Sequence, residues 1–185
     1  VVAQKDSSVE DPVSKDLENI GTIAKIVKQI KMPDGGTTII IQGKNRFSIK
    51  SVINEEPYFK AHVELVEEEE APKDPDFEAY VSNIKDLATE IIQLSPNIPS
   101  EASVILKNVE NASFLIHFVS SNLTIDIRDK QRLLEMNNIR ERADLLMQFL
   151  QKELQFAELK NKDFRVKIRR VLALGLGRAI RNKEL

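Results

Sequence analysis

The stretch GTTIIIQGKN, from Gly36 to Asn45, is the nearest approach in this sequence to a phosphate-binding loop. Such a loop needs closely spaced glycines ahead of a helix, a lysine for the phosphates and a Ser or Thr for magnesium. Here the glycines are too far apart, Asn45 stands where the hydroxyl should be, and the stretch lies between strand-like segments. Gly175-Leu176-Gly177 follows no strand of an α/β unit, so it is no dinucleotide loop either. His62 and His117 are the only histidines, and neither has a second His or a Cys at metal-ligand spacing. Both read as structural. The carboxylate pairs Asp74/Asp76 and Glu55/Glu56 sit in polar loops, where nothing raises a pKa toward general acid work. No glycine-flanked serine forms a nucleophile elbow. The segment reads as a non-enzyme with no catalytic, cofactor or metal site.

The elements around these residues change character once along the chain. IGTIAKIVKQIK, Ile20 to Lys31, has a period of two and many β-branched residues, which predicts a long strand. Ile20, Thr22, Ala24, Ile26 and Ile30 are expected on a well-buried face. Pro33-Asp34-Gly35-Gly36 is a turn signal, and TTIIIQ returns as the second arm of a hairpin. Gly43 marks a bulge or bend. Arg46–Val52 and Tyr58–Val66 continue the strand texture, with Phe59, Ala61, Val63 and Leu65 on a buried face. Residues 1–70 thus form a small sheet or partly closed barrel. The acidic, proline-containing run to Asp76 is a solvated linker, assigned to 71–76.

From Phe77 the period is helical. Phe77, Tyr80, Ile84, Leu87, Ile91 and Leu94 make one apolar stripe, ended by Pro96 and Pro99. A short helix is expected over 101–107. Asn111 caps a helix with Phe114, Leu115, Phe118 and Val119, and Asp126 caps one with Leu133 and Leu134 inward. Asn138 with Glu141 suggests a capping box opening the longest helix, to about Asn161. Residues 77–162 read as a compact helical bundle. The fold class is therefore α+β, a β-rich subdomain followed by helices.

Composition narrows the functional classes. The 185 residues are 42% hydrophobic and 30% charged, with only 5% aromatics and no Trp, a poor platform for stacking bases. The absence of Cys excludes disulfides and thiolate sites and fits a cytosolic origin. No apolar run approaches a bilayer span, so no membrane association is expected. A start at Val1 without a secretion signal reads as a fragment or processed product. From Lys162 to Leu185, eight Lys/Arg face two Asp/Glu, a balance of +6; of the net −2, the residues before them carry −8. That acidic body disfavours nucleic acid as a partner.

Two segments resemble a known family. VAQKDSSVEDP, followed by LENIGTIAKIVKQIKMPDGGTTIIIQGKNRFSI, is similar to the amino-terminal domain of bacterial Lon-type ATP-dependent proteases (endopeptidase La). Gly21, Thr22, Ala24 and Ile26 match its "IGT-A-I" strand, and Pro33, Asp34 and Gly35 its "K-PDG" turn. Gly43, Arg46 and Ile49 match its "V-GL-R-I" strand, with Lys44 where Leu is commoner. Asp129-Lys130-Gln131, Leu133-Leu134-Glu135, and Arg140-Glu141-Arg142 with Leu145-Leu146 match its helical "K-Q-LLE---V-ERL--L" segment.

The resemblance implies a PUA-like β-pseudobarrel and a helical bundle that bind unfolded or tagged polypeptides and support a hexamer of Lon protomers. The family's ATP and Mg site and its Ser–Lys peptidase lie on other segments. The family's first strand and covering helix are absent, so the pseudobarrel is expected to be incomplete at its amino-terminal edge, with unpaired strand edges. The tail, 163–185, is unassigned: a divergent helix, a basic helix contacting membrane or peptide, or a non-native addition. Substrate-binding candidates are Phe149 and Phe156, seven apart on the last helix and expected to be exposed, and Met32, adaptable at the turn. Alternatives are a stand-alone Lon-like adaptor and a PUA-like RNA-binding module.

Overall fold

The computed structural model describes residues 1–95, 98 and 101–181, with 163–181 described by their backbone alone. Two compact units divide the chain: Val1–Glu70 with Ile125–Arg142, and Ala71–Thr124 with Ala143 onward.

The first unit is built on an antiparallel sheet of order β1-β2-β3, comprising β1 (Ile20–Lys31), β2 (Thr37–Asn54) and β3 (Lys60–Leu65). The β1–β2 turn closes with Met32 N–H donating to Gly36 O (2.8 Å) and Gly36 N–H to Asp34 Oδ1 (2.9 Å). Gly35 holds φ 87°, a left-handed conformation that favours glycine. β3 pairs only with Phe47–Asn54, so the rest of β2 pairs with β1 alone as a two-stranded ribbon. The expected break near Gly43 is a bulge at Lys44, because Ile23 faces Asn45 while Ala24 faces Gly43.

A second bulge at Val27 corrects the expected face. Ile26 pairs with Ile41 and Gln29 with Ile39, so Gln29 shares the face of Ile26, whereas Ile30, opposite Thr38, lies on the other face. The expectation of a well-buried strand face is also overturned. In the sheet only Gly21, Arg46 and Phe47 are buried, and Phe59, Val63 and Leu65 of the β3 segment are exposed.

Residues 1–5 run beside residues 16–22. Val1 and Thr22 exchange two backbone bonds of 2.9 Å, and Lys5 N–H donates to Asp16 O at 2.8 Å. Gly21 permits this approach: a Cβ there would lie 2.6 Å from Val1 O and 2.7 Å from the Phe47 ring. Helix α4 (Ile127–Glu135) also belongs to this unit. Periodicity alone places it in a contiguous bundle over 77–162; its place beside β1 rests on contacts that local periodicity does not encode.

The second unit contains α1 (Pro75–Leu94), α2 (Glu101–Lys107), α3 (Ala112–Asn122) and most of α5 (Ile139–Arg181). Asp74 accepts from Phe77 N–H (2.9 Å), Asn111 from Phe114 N–H (2.8 Å), and Pro75 fixes the first turn of α1. α1 ends at Leu94, whereas Pro96 and Pro99 lie outside the described residues. At the start of α5 only the Asn half of the capping box forms, Asn138 accepting from Arg140 and Glu141 N–H at 3.0 Å. The core is aliphatic and aromatic, with Phe77, Ile84, Leu115, Ile116, Leu146 and Leu150 essentially solvent-free. The α5 backbone continues well past Asn161, through both glycines of the tail, to Arg181.

Candidate polypeptide-binding surface

The ribbon of Ile23–Lys31 with Thr37–Asn45 carries exposed apolar side chains on both faces. Register places Ile26, Ile39 and Ile41 on one face and Ile23, Ile30 and Ile40 on the other, with Val27 at the bulge. Ile26 is 63% accessible and Val27 59%, values unusual for β-branched residues of a strand. Lys25, Lys28, Lys31 and Lys44 are interleaved with them. Past Thr22 the outer edge of β1 has no backbone partner among the described residues, and β2 before Arg46 is paired on one side only.

The base of the ribbon is fixed by buried polar groups. Arg46 Nη1 donates to Leu134 O (2.8 Å), Met136 O (3.0 Å) and Asn137 Oδ1 (3.2 Å). Arg142, 1% accessible, donates to Glu68 Oε1 at 2.7 Å and also to Met136 O. Gln131 Nε2 reaches Ile20 O at 3.0 Å. Burial pushes the Arg46 guanidinium below its ordinary pKa, and Arg142 beside it adds to that push while Glu68 opposes it. A guanidinium remains charged through such a shift, so this is an anchor and not a proton-transfer group. Arg46 Nη2 is buried with no hydrogen-bond partner, which leaves the anchor incompletely satisfied.

Sequence reasoning assigned no role to Arg46, Gln131, Arg142 or Glu68. The available signal was an arginine next to Phe47 inside an apolar strand, but its partners lie about ninety positions away.

The three candidates fare differently. Met32, 44% accessible, lies at the tip of the ribbon. Phe156, 52% accessible, projects from α5 in the second unit, with Lys160 Nζ 4.2 Å from its ring centroid. Phe149 contradicts the expected exposure: at 7% it belongs to the core of that unit. The first turns of α5 face the core, and the apolar stripe reaches solvent only beyond Leu150. Met32 and Phe156 stand on separate units.

A concavity of about 280 Å³ is lined by Gln4, Lys5, Asp6, Ser7, Asp126, Ile127 and Arg128. Its polar groups already serve the backbone: Gln4 donates to Val9 O, Lys5 to Lys15 O, Asp6 holds Ser8 and Asp126 caps α4. Among the described residues no three His, Asp or Glu side chains gather as a cation site requires, and no helix is long and apolar enough to cross a membrane.

Residues 1–152 match the family "ATP-dependent protease La (LON) substrate-binding domain". The chain belongs to the Lon family. It is 47% identical over 170 residues to a Lon protease of Flavobacterium johnsoniae, covering 91% of this chain and 21% of that protein. With a Lon protease of Cytophaga hutchinsonii it shares 39% over 163 residues, covering 88% and 20%. The chain thus spans about a fifth of the length of the curated Lon relatives it matches. The amino-terminal domain of a Mycobacterium avium complex Lon protease has a similar fold, with TM-score 0.62 at 20% identity over 82% of this chain and 89% of that one. A Lon amino-terminal domain protein from Xanthomonas campestris aligns with TM-score 0.52 at 14% identity over 74% and 70%. The expected α+β fold is that of Lon amino-terminal domains.

Proposed function

We propose that this chain is the non-catalytic, polypeptide-engaging part of a cytoplasmic Lon protease. It holds unfolded or tagged substrates for ATP- and Mg-dependent Ser–Lys proteolysis performed by other segments, and it supports assembly with other Lon protomers. The observation that carries this reading is the ribbon with isoleucines exposed on both faces. Apolar surface of this kind gains by covering apolar stretches that an unfolded chain cannot bury itself. Met32 at the ribbon tip and Phe156 on α5 are further contacts, whereas Phe149 contributes through the core.

The test is titration of a fluorescently labelled, permanently unfolded protein with this chain, read by anisotropy. Replacing Ile26 and Ile41 by Thr keeps β-branched residues while removing apolar surface from one face. An affinity loss of about tenfold is expected. Unchanged affinity in a variant with an unaltered circular dichroism spectrum would rule the ribbon out as the contact.

A further inference from the structure

The turn at the ribbon tip holds a junction whose chemistry polypeptide binding does not use. Asp34 is the one Asp or Asn in the sequence that is followed by Gly. Glycine there leaves the next amide nitrogen unshielded by a side chain, so that nitrogen and the Asp34 carboxyl carbon can close a five-membered ring. Closing it needs an accessible turn and a carboxyl folded toward the following peptide.

Both conditions are met. Residues 33–36 are all exposed. Gly35 N–H donates to Met32 O at 3.1 Å, closing a turn with Pro33 and Asp34 at its centre, and Gly35 holds φ 87°. The Asp34 side chain folds forward along the chain, since Gly36 N–H donates to its Oδ1 at 2.9 Å. A Cβ on Gly36 would lie 3.1 Å from that oxygen and 3.8 Å from Cγ, whereas one on Gly35 would meet nothing within 4 Å. The carboxyl is thus drawn over the Gly35 peptide with open space beside it, and the donated hydrogen bond draws electron density from Cγ. A nucleophile and an electrophile held in one turn meet at high effective concentration. Asp6 offers a comparison within the same unit: it accepts from Ser8 N–H at the same 2.9 Å, but Ser7 puts a side chain beside the intervening amide.

We propose that Asp34–Gly35 is a site of spontaneous backbone rearrangement, converting in the folded turn from an aspartyl to an isoaspartyl bond through a cyclic imide. Gly35 N attacks Asp34 Cγ. The N–Cγ bond forms, the Cγ–OH bond breaks, and the hydroxyl leaves with the amide proton as water. Water then adds back at one of the two imide carbonyls. Breaking N–Cγ restores aspartate, whereas breaking the bond from Asp34 C to Gly35 N leaves the main chain running through Cβ and Cγ. The overall change gains and loses no atom and needs no redox partner. The rearranged main chain is one atom longer, so the Met32 N–H to Gly36 O bond of 2.8 Å that closes the ribbon loosens.

The test ages the whole chain in warm neutral buffer and follows the tryptic peptide Met32–Lys44 by reversed-phase chromatography. It is expected to split with time into two peaks of equal mass, the new one carrying isoaspartyl fragments in electron-transfer spectra and accepting methyl groups from an isoaspartyl methyltransferase. Rearrangement at Asp6 should be slower. Asp34→Glu, which would need a six-membered ring, should lose the second peak. Asp34→Asn should expel ammonia through the same imide and change mass while its circular dichroism spectrum is unaltered. In the rearranged chain the Met32 amide should lose hydrogen-exchange protection.

A single unchanged peak from the aged whole chain overturns the proposal, whether or not the free Met32–Lys44 peptide splits when aged beside it. Splitting that persists in Asp34→Glu assigns the change to another residue and overturns it as well. Faster rearrangement at Asp6 removes the role given to Gly35, and unchanged protection at Met32 removes the loosening of the turn.

Discussion

The two units distribute their apolar residues in opposite ways. Among the described residues, the sheet unit buries three apolar side chains, Phe47, Leu133 and Ile139, and exposes seventeen large ones; the helical unit buries thirteen and exposes six. The helices therefore owe their stability to a close-packed core, while the sheet is held at its base by Arg46, Gln131 and Arg142 and presents its isoleucines outward. A surface that binds unfolded chains needs that second arrangement, because an isoleucine committed to a core is unavailable to a partner. The difference also shows that strand propensity and core membership are separable: the β-branched run of β1 and β2 makes a well-registered ladder without a buried face.

Phe149 and Phe156 test the contrast on a single helix. Phe149→Ala removes a core ring and should cost about 4 kcal/mol of stability in denaturant unfolding. Phe156→Ala, losing an exposed ring and its Lys160 contact, should cost under about 1 kcal/mol. Similar losses at both sites would mean that α5 is covered further along than the accessibility of Phe156 indicates.

At the base of the sheet the largest effect is expected at Arg142. Arg142→Met keeps the volume but leaves Glu68 without its guanidinium and Met136 O without one of its donors, a cost of about 3 kcal/mol. Adding Glu68→Leu should return part of it, since the stranded carboxylate is then gone as well. If the double variant is no better than the single one, the ion pair is incidental and packing of the arginine stem holds the site.

Much of the fold was legible in the sequence. The two-residue period, the Pro33-Asp34-Gly35 turn, and the caps at Asp126 and Asn111 are local signals, and the elements formed near where they pointed. What was hidden depended on long-range geometry. A bulge at Val27 moves Ile30 to the other face, and no residue type announces it. Attachment of α4 to the sheet depends on Gln131 reaching Ile20 O, with Arg46 tying β2 to Leu134 of α4 and to Met136 and Asn137 just after it. That the faces of the ribbon would be exposed depends on what lies opposite them, which periodicity does not encode. Phe149 was misplaced for the same reason, since spacing of seven fixes a shared face but not its neighbours.

Gly21 sharpens the comparison from the side of the backbone. Its missing Cβ lets Val1, Val2 and Phe47 close over the base of β1, with Val2 Cγ2 only 2.8 Å from the position a Cβ would take. Gly21→Ala should cost about 2 kcal/mol through overpacking. It should also weaken the pairing of Val1 with Thr22, seen as faster hydrogen exchange at the Thr22 amide. Gly36→Ala, where the nearest atom is 3.1 Å away on the Asp34 side chain, should change stability much less.

The smallest effect expected is a pH dependence in the loops of the sheet unit. Glu55 accepts from Ser14 N–H at 3.1 Å, and Asp6 from Ser8 N–H at 2.9 Å and Ser8 Oγ at 2.7 Å. Hydrogen bonds from the Ser14 hydroxyl and N–H to Glu55, and from the Ser8 N–H and hydroxyl to Asp6, hold both carboxyls below the usual carboxylate range. A depressed pKa means that the folded form favours the ionised group, so the contribution is present above the ordinary value and fades as pH falls through the depressed one. Both groups are fully exposed, so the signature is local. The Ser14 and Ser8 amide resonances should move with acid while those of Leu115 and Leu146 in the helical core stay fixed. Glu55→Gln supplies a neutral acceptor to Ser14 and should abolish the Ser14 titration without displacing the loop. If the core amides move together with Ser14 instead, the two units unfold as one in acid, and the contrast between an anchored sheet and a packed bundle does not extend to their stability.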